Sequence, residues 1–116
     1  STQRLVRVVG EPQAKLLALT ARRIDAARAA EIGLVHEVVP SDALLAHAIA
    51  LGNEIAACAP LSVARAKAAI NRASEVPLAD GLRLQREFFL ELSQSDDHKE
   101  AVRAFREKRP PEFRNR

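Results

Sequence analysis

The chain closes on AFREKRPPEFRNR, residues 104–116, and this stretch holds its most distinctive side chains. Phe105 lies one helical turn before Lys108 and Arg109, and Pro110 and Pro111 then forbid further helix. A solvated tail does not need the aromatic rings, and a packed helix end does not need so much charge. The other residues that could do chemistry are scattered. His36, His47 and His98 are far apart and read as lying on different elements, with His47 and His98 on solvated faces, so they give no ligand spacing for a metal. Cys58 has no local histidine or cationic setting to lower a thiol pKa, and reads as a small core residue. The pair Asp96–Asp97 satisfies a helix N-terminus. Glu31, Glu37, Glu87 and Glu100 stand in contexts that solvation explains. There is no nucleophile elbow and no glycine-rich phosphate loop. The residues alone therefore define no catalytic constellation and no metal site.

The elements that must carry the terminal group are helices. Leu5, Val8 and Val9 share a face of a first helix, with Ser1 or Thr2 as its cap and Gly10 as its stop. Pro12 fits the first turn of the next helix, which carries Leu16, Leu17 and Leu19. Asp25 precedes a short helix closed by Gly33. LVHEVVP, residues 34–40, is the one strand-like run, so at most one short strand is expected near 34–39. Ser41 caps a helix reaching about Cys58, with Leu44, Leu45, Leu51 and Ile55 among its apolar positions. Pro60 opens a helix that turns Val63, Ala66 and Ile70 inward. Pro77 opens another, whose inner stripe reads Leu78, Gly81, Leu82, Gln85, Phe88, Phe89 and Leu92. The last helix has Ser95 as cap, acids in its first turn and cations in its last.

Composition bounds the rest. Hydrophobic residues make up 47% of the 116, which excludes disorder, yet aromatics are only 3% and methionine is absent. Alanine carries much of the apolar count and buries little area per residue, so the helical faces call for a partner surface. The net charge of +3 permits phosphate binding without demanding nucleic acid, and there is no basic run with interleaved aromatics. A single cysteine makes a reducing compartment the default. No stretch reaches the ~18–20 apolar residues of a membrane span, and no signal peptide is read. The opening STQRLVRVVG, with no initiator methionine, reads as a piece of something longer.

The order of short motifs resembles the C-terminal half of the enoyl-CoA hydratase, or crotonase, family. STQRLVRVVG is similar to the family's GTQRL segment, and LTARRIDAARAAEIGLVHEVVP to its LTGRRI…GLV…VVP stretch. IAACAPLSVARAKAAIN resembles its AP…AK-AIN helix pair, and SDDHKEAVRAFREKRPPEF its terminal S-D-KEG…AF-EKR-P-F signature. The chain departs from the pattern at Ser1, Ala21 and Ala101, where glycine is usual, and at Gln85, where many members carry glutamate.

The resemblance implies a mainly α chain, the C-terminal helical part of a crotonase-like (ClpP/crotonase) α/β fold built on a ββα spiral. Residues 1–40 would close the core, and residues 41–116 would form a trimerisation and acyl-CoA-covering region. It implies an enzyme of acyl-CoA thioesters, most simply syn hydration of a 2-enoyl-CoA. The two catalytic glutamates and the oxyanion hole would lie before Ser1, leaving no catalytic residue here. Coenzyme A would enter as part of the substrate, with no prosthetic group. Phe105 would lie against its adenine and Lys108 would meet its phosphate, in the same or a neighbouring subunit's site, while Phe88, Phe89 and Leu92 would wall the acyl pocket. Phe105 is expected to pack into the helical core in either case. The resemblance further implies a trimer or hexamer, no nucleic-acid or membrane partner, and a cytoplasmic location, or the mitochondrial matrix in a eukaryote. The alternative is a free-standing helical oligomerisation module without catalysis.

Overall fold

A computed structural model describes residues 2–114, so Ser1, one of the two expected first caps, lies outside the described residues. Six helices follow one another: α1 (Thr2–Thr20), α2 (Ala26–Glu31), α3 (Leu44–Ala56), α4 (Pro60–Ala73), α5 (Leu78–Ser93) and α6 (Asp96–Glu107). The chain divides into two compact units, residues 1–47 and 48–116.

In the first unit, α1 is two helical segments. Gly10 takes φ 76° and ψ 165°, outside helical space, and Pro12 falls in the first turn of the second segment. The Asp25 carboxylate caps α2 by accepting the Arg28 N–H at 2.8 Å. Gly33, at φ 73°, lets the chain reverse, and the Leu34 N–H donates to the Ala29 carbonyl at 2.8 Å. Ala14 and Ala29 are the buried residues of this unit.

Residues 34–39 form no strand among the described residues. Their valines give β propensity, but a ladder needs a neighbouring strand, and none is among the described residues. Instead Glu37 bonds the ring Nε2 of His47, so His47 is paired and not simply solvated. Ser41 lies in a turn before α3, whose first residue is Leu44. The helix ends at Ala56, so Cys58 falls beyond it and is exposed, not a core residue.

In the second unit, α4 and α5 pack together, and α5 packs on α6. The inward stripes are rotated from those the sequence pattern predicts. On α4, Leu61, Val63, Arg65 and Ala69 are half-buried, while Ile70 is exposed. On α5, Gly81, Leu84, Phe88 and Leu92 are half-buried, while Leu78, Leu82, Gln85 and Phe89 are exposed. A polar clamp joins the two helices. Arg65 donates to Glu91 at 2.5 Å and lies over the Phe88 ring, 5.2 Å from its centroid. Among the described residues no helix is long and apolar enough by itself to cross a membrane; α3 and α4 together reach that length but are bent by 107°.

Candidate functional site

The group singled out by the sequence sits where α6 ends. Ser95 begins that helix, its hydroxyl accepting the His98 N–H at 3.1 Å. Asp96 and Asp97 occupy the first turn, where the helix dipole favours carboxylates. Asp97 does more than complement the dipole. Its side chain is buried, and it accepts the Arg114 N–H at 2.7 Å. Ala104 is buried on the same helix, with 1% of its surface exposed.

Lys108 terminates α6 in a left-handed conformation, φ 53° and ψ 40°. Its N–H and that of Arg109 donate to the Phe105 and Ala104 carbonyls, at 3.3 and 3.1 Å. This is a left-handed helix stop of the kind glycine usually makes, here built on a lysine. Phe105 and Lys108 are one helical turn apart in sequence, but they do not share a helix face in the simple way that this spacing gives. Three-residue spacing places two side chains together only while both have helical backbone, and Lys108 does not.

Phe105 does not pack in the core. It is 85% exposed, which corrects the sequence expectation. The buried face of α6 runs through Asp97 and Ala104, with Glu100 and Ala101 half-buried between them. Phe105 follows Ala104 by one residue, about 100° around the helix, and so leaves that face.

Glu100, read from sequence as a solvated acid, organises the end of the chain. Its side chain is 15% exposed. Its two oxygens accept both terminal nitrogens of Arg109, at 2.6 and 3.2 Å. One of them also accepts the Glu112 N–H at 3.2 Å. The Arg109 guanidinium, then the Glu112 amide, hold the Glu100 carboxyl down to about pKa 2, against the opposing effect of burial. Arg109 is raised in turn, first by Glu100 and then by Glu107, whose carboxylate its Nε meets at 2.6 Å. Between α6 and the returning tail lies a cleft of about 750 Å³, lined by Asp97, Glu100, Arg103, Arg109, Glu112 and Arg114 among others.

The other predicted residues are not equivalent. Phe88 has Arg65 over its ring and Leu92 is half-buried, whereas Phe89 is 65% exposed. No group of three metal-ligating side chains gathers among the described residues. Sequence reasoning missed the Glu100–Arg109 pair, the Asp97–Arg114 bond and the Arg65–Phe88–Glu91 clamp. None has a helical spacing; the double proline after Arg109 was the one sign that the tail must turn away from the helix axis.

This all-helical architecture, with a glycine-broken first helix and a basic stop after the last, is that of a known class. The chain matches the enoyl-CoA hydratase/isomerase family over residues 1–116, and it belongs to that family. It is 44% identical to a probable enoyl-CoA hydratase of Rhizobium meliloti, covering 99% of this chain and 45% of that protein. It is 39% identical to the 2,3-dehydroadipyl-CoA hydratase of Escherichia coli, with the same coverages. Among solved structures, an enoyl-CoA hydratase from Bacillus anthracis aligns with a TM-score of 0.94 at 39% identity, covering 99% of this chain and 45% of that one. The fold is thus the helical part of the crotonase fold, and the chain spans a little under half the length of these relatives.

Proposed function

We propose that this chain is the thioester-covering C-terminal part of an enoyl-CoA hydratase, an enzyme that adds water across a 2-enoyl-CoA. The general acid–base glutamates and the oxyanion donors come, in this reading, from the part of the family's length that the chain does not span. Coenzyme A is part of the substrate, and no prosthetic group is needed. Phe105 supplies a ring for the adenine and Lys108 a point charge for a phosphate, in the same subunit or a neighbouring one. Phe88, Phe89 and Leu92 line the acyl end.

One observation carries the assignment of the terminal turn: Phe105 is 85% exposed on a helix end that is otherwise tightly bonded. A ring left in water beside a left-handed lysine stop has a use if a flat ligand or a partner covers it. Family membership over the whole chain favours the enzyme over a free-standing oligomerisation module. The exposed Leu44, Leu45, Ile49 and Ile55 of α3 support self-association of residues 41–116, as a trimer or hexamer. The location that goes with this reading is the cytoplasm, or the mitochondrial matrix in a eukaryote, with no nucleic-acid or membrane partner.

The test is binding of coenzyme A and of its dephospho form, which lacks the 3′-phosphate, to the full-length protein and its Lys108→Ala variant. The substitution should weaken coenzyme A binding about 5–30-fold, less at high salt, and should leave the dephospho form nearly unaffected. Equal effects on the two ligands, or none, would remove the phosphate role. The full-length protein should hydrate crotonyl-CoA, read as loss of the enoyl absorbance, while the 116-residue chain alone should not exceed the uncatalysed rate.

A further inference from the structure

Residues 109–114 return along α6. Arg109 grips Glu100, the Glu112 N–H follows on the same carboxylate, and the Arg114 N–H then reaches Asp97 in the helix's first turn. The contacts run backwards along the helix as the tail runs forwards, so residues 109–114 form a strap antiparallel to α6. What reverses the chain is Lys108 at φ 53°. A left-handed backbone is disfavoured for a lysine, whose Cβ crowds the following carbonyl. Such a residue stays there only where its surroundings over-determine it. The surroundings here are two: the pair of helix-end hydrogen bonds from Lys108 and Arg109, and the strap itself.

We propose that Glu100 and Asp97 are the latch of this strap, and that by closing it they fix the left-handed turn that positions Lys108. They are positioning residues, since neither touches a ligand in this account. The double proline is part of the device. Pro110 and Pro111 have restricted φ and no N–H to satisfy, so the strap stays extended and the first amide past them, that of Glu112, is free to reach Glu100. Arg109 supplies the planar fork that a carboxylate accepts through both oxygens, which a lysine at that position could not reproduce. The effect on coenzyme A recognition rests on the role of Lys108 proposed above; the latch itself does not.

The experiment is amide hydrogen exchange on the full-length protein, read at Glu112 and Arg114, with the Ala104 amide inside α6 as the control. Glu100→Ala should speed exchange at Glu112 roughly tenfold or more while leaving Ala104 within about twofold. Arg109→Lys leaves α6 intact and should loosen Glu112 in the same direction by less; it decides the matter alone if Glu100→Ala also loosens Ala104. Strap amides that exchange as slowly in Arg109→Lys as in the parent overturn the latch. The second reading is the ratio of affinities for coenzyme A and its dephospho form. With the strap loosened, this ratio should fall toward that of Lys108→Ala. A loosened strap with an unchanged ratio shows that the latch does not position Lys108, and overturns that part of the proposal. If the parent protein does not distinguish the two ligands at all, the phosphate role of Lys108 is what has failed, and the exchange rates still decide the latch.

Discussion

Helices α3 and α6 are close in length, 13 and 12 residues, and opposite in how they are held. α3 is rich in leucine, isoleucine and alanine, and not one of its residues is buried. α6 is markedly polar, and it holds two of the four buried residues described in the chain, Asp97 and Ala104. Apolar character is therefore not what anchors a helix here. α6 is anchored because the tail that follows it returns with partners for its polar groups: Arg109, the Glu112 N–H and the Arg114 N–H. An apolar stripe has no such local solution. Its partner must be a surface, and an alanine-rich chain of this length offers little of it.

That contrast can be broken most sharply at Ala104, which is 1% exposed. Ala104→Leu forces three extra carbons into the closed side of α6 and should destabilise the full-length protein by about 1–3 kcal/mol, read as a lowered midpoint in urea with unchanged slope. A change within about 0.5 kcal/mol would mean the α6 face is looser than its burial indicates.

Backbone strain comes next. Gly10 separates the two segments of α1 with φ 76° and ψ 165°, a region essentially reserved for glycine, so Gly10→Ala should cost about 1–3 kcal/mol by the same measurement. Ala21 is the converse. It holds φ 50° with a side chain that resists it. Ala21→Gly should stabilise the protein by about 1 kcal/mol, and a loss of stability would show that the alanine methyl makes a contact worth more than the strain.

Truncation on α3 should do far less to folding. Leu45 is 73% exposed, so Leu45→Ala should shift the unfolding midpoint of the 116-residue chain by no more than about 0.5 kcal/mol. The same substitution should weaken self-association in sedimentation if the α3 face is covered by a second copy. A large loss of stability in the monomer would put Leu45 in a core after all.

The smallest expected effect is the response of the strap to acid. Glu100 faces Arg109 and Arg103, and Arg109 is shared with Glu107. Its folded pKa lies below that of the unfolded chain. The stability it contributes is thus fully present above the ordinary carboxylate range, declines as the pH falls below that range and is gone once the pH has fallen through about 2. Exchange at the Glu112 amide, corrected for its intrinsic pH dependence, should stay nearly constant from about pH 7 to about pH 5 and speed up progressively below that, as the opened strap's Glu100 takes up a proton. Exchange that stays flat well below the carboxylate range would show that the charge on Glu100 is not what holds the strap.

The sequence by itself determined the helices, their punctuation and the family. Gly10 and Pro12, Asp25, Gly33, Ser95 and the double proline act through φ restriction and hydrogen bonds within a few residues, so their consequences are local and readable. The order of short motifs was enough to place the chain in its family, because that order survives drift at Ala21, Ala101 and Gln85. The tertiary structure alone decided which side of each helix faces inward. A period of three and four residues admits several overlapping stripes on α5, and the one the structure takes has Arg65 lying on Phe88 and reaching Glu91, 26 residues away. The same holds at the end of the chain. Phe105 reads as a core residue because it is large and apolar, but its neighbour Ala104 takes the buried face, with 1% of its surface exposed. Glu100 reads as a solvated acid because its partners lie nine and twelve residues on, across a reversal that depends on a lysine holding a left-handed turn. Propensity and periodicity report on neighbours along the helix, and the groups that organise this end are neighbours only in space.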